Sequence, residues 1–238
     1  GFCRYSTDRQ FLVPHFEKML YDNAMLILAY CKAYTITKKT LYRDIACKTA
    51  DYILREMTLP SGGFAGAQDA DSEGQEGAYY LFDKQEILDQ LGQRGEGFCR
   101  QFGISARGNF EGKNIPNRLG SDPDNVDYED CLPILAAYRR TRYLLHRDDK
   151  VLTFWNGLMI AALCRLYRIT ADMRYLNAAQ AADRYLEEQT KKAACPSMPP
   201  TPTASRGFWM ITPRVFLVCW PCKRSRSTQR ISSVPKPC

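Results

Sequence analysis

At 238 residues, with 45% hydrophobic and 25% charged side chains, the chain has the size and balance of one large globular domain or two small ones. No apolar run reaches the ~20 residues that a membrane-spanning helix needs, so no membrane partner is expected. The formal charge of +7 is concentrated at one end: nine Lys or Arg and no Asp or Glu follow from residue 191, leaving the body at 7 − 9 = −2, and no nucleic-acid partner is expected.

Ten Cys invite a disulfide or zinc framework. The six in the body are scattered, no C-x₂-C pair occurs among them, and His15 and His146 are the two histidines, so metal-ligand spacing is absent. Cys31 and Cys164 read as small buried hydrophobes, and a reducing, cytoplasmic compartment is the simplest inference. No cofactor is implied. The start, Gly1-Phe2-Cys3-Arg4, has neither an initiator Met nor a signal pattern and is expected to lie inside a larger protein.

Arg4 to Ala29, RYSTDRQFLVPHFEKMLYDNAMLILA, runs from a polar turn into a predicted helix. Pro14 suits a first helical position, and His15, Lys18 and Asp22, at i, i+3 and i+7, would share one helix face. Below Asn23 the same helix is almost wholly apolar. That pattern fits a barrel-lining helix with reactive groups at its mouth, and equally a capped core helix with solvated early residues.

Tyr21 to Met57 reads as a helical hairpin turning at 37–40, and Trp155 to Thr190 as a second one. The two align without a gap at an offset of 133: Asn23 with Asn156, Ile27 with Ile160, Cys31 with Cys164, Tyr34 with Tyr167, Tyr42 with Tyr175 and Ala46 with Ala179. This is an internal repeat, and repeated hairpins stack because one hairpin cannot bury its own apolar face. Between them, a short β excursion is expected near 62–82, with a strand at Ala78–Phe82. Asp83 is a predicted cap for a helix through about Leu91. A short helical run toward Phe102, a long polar loop over 107–127 and a helix over 132–146 follow. The expected organisation is a domain over 1–190 and a separate tail over 191–238.

The tail holds eight Pro and four Cys with no helical period. It reads as a disordered arm or as an out-of-frame product: Phe208-Trp209-Met210-Ile211-Thr212 requires TTY-TGG-ATG-ATH-ACN, which shifted reads Leu-Asp-Asp followed by Tyr, His or Asn. Cys219-Trp220-Pro221-Cys222 has the form of a thioredoxin motif but lacks the strand-then-helix context that lowers a thiol pKa.

The densest acidic cluster is Asp69, Asp71, Glu73 and Glu76 in GGFAGAQDADSEGQEGAYY. Its opening looks like an EF-hand loop, but the bidentate Glu needed at the twelfth position is Tyr80, which excludes a calcium loop. Such carboxylates, close to a His and aromatic rings, suit general acid/base work on a sugar; solvated loop carboxylates are the plain alternative.

RYSTD…VPHFEKMLYDNA, GGF…DADSEGQEGAYY, GNFEGKN and DDKVLTFWNGLMIAAL, in that order across residues 1–190, resemble the spermatogenesis-associated protein 20 family. The resemblance implies an all-α fold, a partial (α/α)₆ barrel of the six-hairpin glycosidase-like and N-acylglucosamine 2-epimerase-like kind, with inner helices beginning at His15 and Trp155. It also implies a thioredoxin-like domain preceding residue 1 as an intramolecular partner. The expected site then has His15, Asp22, Asp69 and Asp71 as acid/base groups. Arg4, Lys18, Tyr21, Glu73, Glu76, Trp155 and Asn156 are expected to bind a carbohydrate substrate, with the aromatic rings stacking on sugar faces. The alternative reading is a non-catalytic helical scaffold serving the thioredoxin-like domain in thiol redox function. Lacking the remaining hairpins of a complete barrel, the isolated chain is expected to be inactive.

Overall fold

A computed structural model describes residues 1–121 and 127–193. The expectations for the tail, including its reading frame and the Cys219–Cys222 motif, lie outside the described residues. The described chain is predominantly helical and falls into two compact units, one built from Leu20–Gly66 and the described residues 149–193, the other from Phe2–Met19 and the described part of Ala67–Asp148.

The first unit is made of the two expected hairpins. Helices α1 (Leu20–Thr37) and α2 (Thr40–Tyr52) form one, and α6 (Thr153–Thr170) and α7 (Met173–Ala193) form the other. In α1 the buried positions are Leu20, Asn23, Ala24, Ile27 and Cys31, one stripe at helical spacing. That stripe packs against α6, which is buried over more than half of its circumference through Asn156, Gly157, Met159, Ile160, Ala162, Leu163, Cys164 and Leu166. A helix that is apolar on most sides must lie inside a bundle.

The offset of 133 holds down to individual hydrogen bonds. Lys38 and Ala171 both take a left-handed backbone, at φ 59° and 58°. Their N–H groups donate to Tyr34 O at 2.8 Å and Tyr167 O at 2.7 Å. Thr37 Oγ1 accepts from the Lys39 N–H, and Thr170 Oγ1 accepts from the Asp172 N–H. Both helices therefore end with the same left-handed cap, which satisfies carbonyls the last turn would otherwise orphan. The repeats differ beyond the cap: α2 closes in a π-helical turn, Ile53–Met57, that buries Ile53 and Met57, whereas α7 continues.

In the second unit, β1 (Lys18–Met19), β2 (Ala67–Gln68) and β5 (Arg147–Asp148) form a small antiparallel sheet in the order β1-β2-β5. Its register pairs Lys18 with Gln68 and Gln68 with Arg147. Strands β3 (Asp71–Ser72) and β4 (Gln75–Glu76) make a hairpin turning through Glu73-Gly74, both at positive φ. Two consecutive positive-φ residues match the right-handed strand twist in a two-residue turn. Three helices complete the unit: α3 (Lys84–Leu91), α4 (Gly95–Gln101) and α5 (Cys131–Arg142). Phe82, Ile87, Phe98, Cys99, Phe102 and Leu135 form their core. Asp83 caps α3 as expected, in a reciprocal capping box with Glu86.

Three local expectations are corrected. No helix begins at His15; α1 starts at Leu20, and residues 13–17 are extended. The Arg4 N–H donates to Glu17 O, the Thr7 N–H to Val13 O and the His15 N–H to Tyr5 O, so RYST and VPHFE zip into an antiparallel ribbon. These non-local pairs, continued by β1–β2, outcompete the weak helical preference behind Pro14. Residues 78–80 form a turn rather than a strand, set by the Tyr80 N–H donating to Gly77 O at 2.7 Å. Helix α5 stops at Arg142 because Tyr143 is extended, at φ −138° and ψ 143°, so His146 is not on a helix.

Candidate functional site

The N-terminal ribbon, the acidic segment and residues 146–148 are remote in sequence, and the three-stranded sheet gathers them. Lys18 pairs with Gln68 at the end of this sheet, and Phe16 and Ala70, two residues further out on each segment, share one buried cluster.

An extended backbone alternates its faces. His15 and Glu17 therefore point one way, with His15 Nδ1 3.9 Å from Glu17 Oε2. Phe16 and Lys18 point the other way: Phe16 is buried and stacks on Tyr80 at 5.4 Å, and Lys18, only 9% exposed, places Nζ 4.7 Å from the same ring centroid. Lys18 and His15 thus lie on opposite faces, contrary to the helical expectation. Gly77, at φ +74°, admits this packing, since a Cβ there would sit 2.4 Å from the Phe16 ring.

The His15 ring stacks on Tyr5 with centroids 4.8 Å apart and planes 15° from parallel. Glu17 also takes Arg4 Nη1 at 3.3 Å. At 3.9 Å the Glu17 carboxylate makes no hydrogen bond to the ring, and Nδ1 is buried without a hydrogen-bond partner, so Glu17 supplies a nearby negative charge and fixes no tautomer. Sequence reasoning passed over Tyr5 and Glu17 as partners of His15, because the strand pairing that brings them there is non-local and leaves no local signal.

Asp69 has a histidine partner that sequence reasoning also passed over. Its N–H donates to His146 O at 2.9 Å, and its Oδ2 lies 3.9 Å from His146 Nδ1. The Asp69 Oδ1 accepts from the Asp71 N–H at 3.3 Å. Asp71, Glu73 and Glu76 are exposed on the β3–β4 hairpin, with Asp71 directly opposite Glu76.

The remaining expected residues belong to the helical unit. Asp22 lies in the first turn of α1. Tyr21 and Trp155 touch, with ring centroids 4.9 Å apart and planes at 52°. Asn156 is fully buried: its Oδ1 accepts from the Phe64 N–H at 2.8 Å, and its Nδ2 donates to Phe64 O at 3.0 Å and to Leu152 O at 3.2 Å. Every hydrogen-bonding group of that amide is directed at the protein's own backbone.

Asp8 holds the ribbon's turn, accepting from the Val13 N–H at 2.9 Å, the Leu12 N–H at 3.3 Å and the Ser6 hydroxyl at 3.0 Å. The Val13 backbone N–H, then the Ser6 hydroxyl and the Leu12 backbone N–H, hold its pKa below the ordinary 3.8 despite opposing desolvation. The sign follows directly: a depressed folded pKa gives a contribution complete above the unfolded value and lost as pH falls through the folded one. The Val13 amide resonance should therefore titrate with a midpoint below 3.8; a midpoint at or above that value would show that the turn is not held by ionised Asp8.

All six cysteines of the described residues are free thiols. Burial pushes the thiol pKa up at Cys3, Cys47 and Cys99, and at Cys31 to about 12, so these are poor nucleophiles at neutral pH. Among the described residues, no group of three or more His, Cys, Asp or Glu could hold a metal ion, and no helix is long and apolar enough to cross a membrane.

No protein-family profile matches the chain. It is 33% identical over 225 residues to human spermatogenesis-associated protein 20, covering 79% of this chain and 29% of that protein. To the mouse protein of that name it is 34% identical over 199 residues, covering 68% of this chain and 25% of the relative. The chain thus spans under a third of the length of these curated relatives. Among solved structures, a glycoside hydrolase family 76 (mannosidase) from Bacteroides thetaiotaomicron is similar at a TM-score of 0.44 and 16% identity, covering 90% of this chain and 41% of that one.

Proposed function

The chain is a homologue of spermatogenesis-associated protein 20, and from that premise we propose that it binds a carbohydrate and that His15 moves a proton on it, in the manner of a sugar epimerase or isomerase. The observation that supports this reading is the surrounding of His15: an aromatic face on Tyr5 and the Glu17 carboxylate 3.9 Å from one ring nitrogen. Sugar recognition needs those parts, rings for the C–H faces of the sugar and carboxylates for its hydroxyls. Abstraction of a proton next to a sugar carbonyl needs a base that titrates near neutrality, which an imidazole supplies. Asp69, held by His146, and Arg4, held by Glu17, are the polar groups assigned to orient the hydroxyls. The free state of the described thiols supports a reducing, cytoplasmic setting. Nothing in the geometry favours a purely scaffolding role.

The test is NMR observation of N-acetylated and unmodified hexoses and their 2-ketoses in D2O, watching for deuterium uptake beside the carbonyl. The assay uses the longer protein of which this chain is expected to be a part, since the isolated chain is expected to be inactive. That protein should exchange at least one sugar, and His15→Gln in it should slow that exchange by about 10²–10⁴-fold while sugar-induced shifts persist. If no sugar of the panel binds at millimolar concentration, or if His15→Gln exchanges at the wild-type rate, the assignment is wrong.

A further inference from the structure

On the face of the N-terminal ribbon turned away from His15, Pro14 and Phe16 form one wall of a cavity of about 330 Å³. Tyr80, Phe98, Ile115 and Leu135 supply much of the rest, and Arg139 of α5 is the one charged side chain in the lining. The volume lies at the lower end of the range for small-molecule sites, which are typically apolar with a few placed polar groups.

Arg139 is unusual in its partners. Its guanidinium lies 4.6 Å from the Tyr79 ring centroid and 5.0 Å from that of Tyr80. Among the described residues no carboxylate pairs with it, and its Nε is buried without a hydrogen-bond partner. The neighbouring Arg142 also has a buried Nε without a partner, but its terminal nitrogens pair with Glu86 and two carbonyls, so the contrast within one helix turn lies in the ion pair and the terminal N–H groups. Contact with aromatic faces uses the flat sides of a guanidinium and leaves its in-plane N–H edge available, and that edge is the fork that matches a carboxylate. Lys18 adds a second positive charge beside Tyr80. The Cys3 thiol also lines the cavity; burial raises its pKa, so it contributes no competing negative charge.

We propose that this cavity is a second binding site, separate from the His15 side of the ribbon, for a small carboxylic acid with an aromatic or branched apolar body. The carboxylate meets the edge of Arg139, and the body fills the space between Phe16, Phe98 and Leu135. The inference does not depend on the carbohydrate reading, since no residue is shared between Arg139's cavity and the Tyr5–His15–Glu17 group.

The experiment is titration of the full chain with 3-phenylpropionate, 3-phenylpropanamide and 2-phenylethylammonium, followed by ligand-observed NMR and calorimetry. The carboxylate should bind at least ten-fold more tightly than the isosteric amide, and the ammonium should not bind. Arg139→Gln should abolish the preference for the carboxylate while leaving weak amide binding, and Ala136→Trp, which fills the cavity, should remove binding of both. Far-UV circular dichroism verifies folding; should Ala136→Trp fail to fold, the Arg139→Gln comparison decides alone. Equal affinity for acid and amide, an unchanged preference in Arg139→Gln, or no binding of any probe at 10-fold above ~1 mM, the weak end of measurable affinity, would each overturn the proposal.

Discussion

Replacing Asn156 with Ala should lower the free energy of unfolding by about 3 kcal/mol, on the scale of ~1–3 kcal/mol for each buried polar group left without a partner. Both backbone groups of Phe64 depend on this amide, and Phe64 is fully buried, so water cannot replace the lost bonds. The effect comes from what remains behind: the orphaned N–H and C=O of Phe64 keep their desolvation cost after their partner has gone. Asn156→Asp retains an acceptor for the Phe64 N–H but loses the donor and introduces a buried carboxylate, so it should be at least as damaging. Urea denaturation followed by tryptophan fluorescence and circular dichroism measures this. A loss below ~0.5 kcal/mol, the level of an ordinary surface substitution, would show that the amide does not support the hairpin unit and would return Asn156 to the list of ligand-facing groups.

A comparable loss is expected in the other unit. Arg142→Ala should cost about 3 kcal/mol, at the low end for breaking a buried ion pair from one side because Glu86 retains some exposure. Arg142 Nη1 pairs with Glu86 Oε2 at 3.0 Å, while Nη2 donates to Leu81 O at 2.8 Å and to Tyr79 O at 3.4 Å. Its guanidinium also lies 4.4 Å from the Phe82 ring centroid. One side chain thus ties α5 to the cap of α3 and to the turn at 79–81. Glu86 would lose its counter-ion but keep the Asp83 N–H and the Tyr138 hydroxyl. Arg142→Lys keeps the charge without the fork and should recover only part of the loss. If Arg142→Lys proves as stable as the wild type, the charge alone suffices and the two carbonyl contacts contribute nothing.

Neither substitution touches Arg4, Tyr5, His15, Glu17 or Asp69, the residues of the proposed sugar chemistry, and the Asn156 amide, though expected from the sequence to bind substrate, is spent on backbone groups, so each also serves as a control. A change in proton exchange that tracks stability in these variants would mean that the His15→Gln effect must be corrected for folding before it is credited to chemistry.

The two helical hairpins were legible from the chain alone because helix formation is read locally. The buried stripe of α1 repeats at three- and four-residue intervals, and the matched Asn, Ile, Cys and Ala positions of the two repeats are buried in pairs. The Asp83 cap was legible for the same reason, its partner Glu86 lying three residues away. The surroundings of His15 were not. Behind Pro14 the local pattern suits a helix, and only pairing with residues 4–7 and 67–68, the latter some fifty positions away, makes the segment extended. That change of period moves Lys18 to the opposite face from His15 and brings Glu17 and Tyr5 to the imidazole. The pairing of Asp69 with His146 spans a still longer separation and exists because β2 is the middle strand of its sheet. Contacts closed over such distances leave no periodic trace in the chain, because their register is set by which strands find one another in the fold.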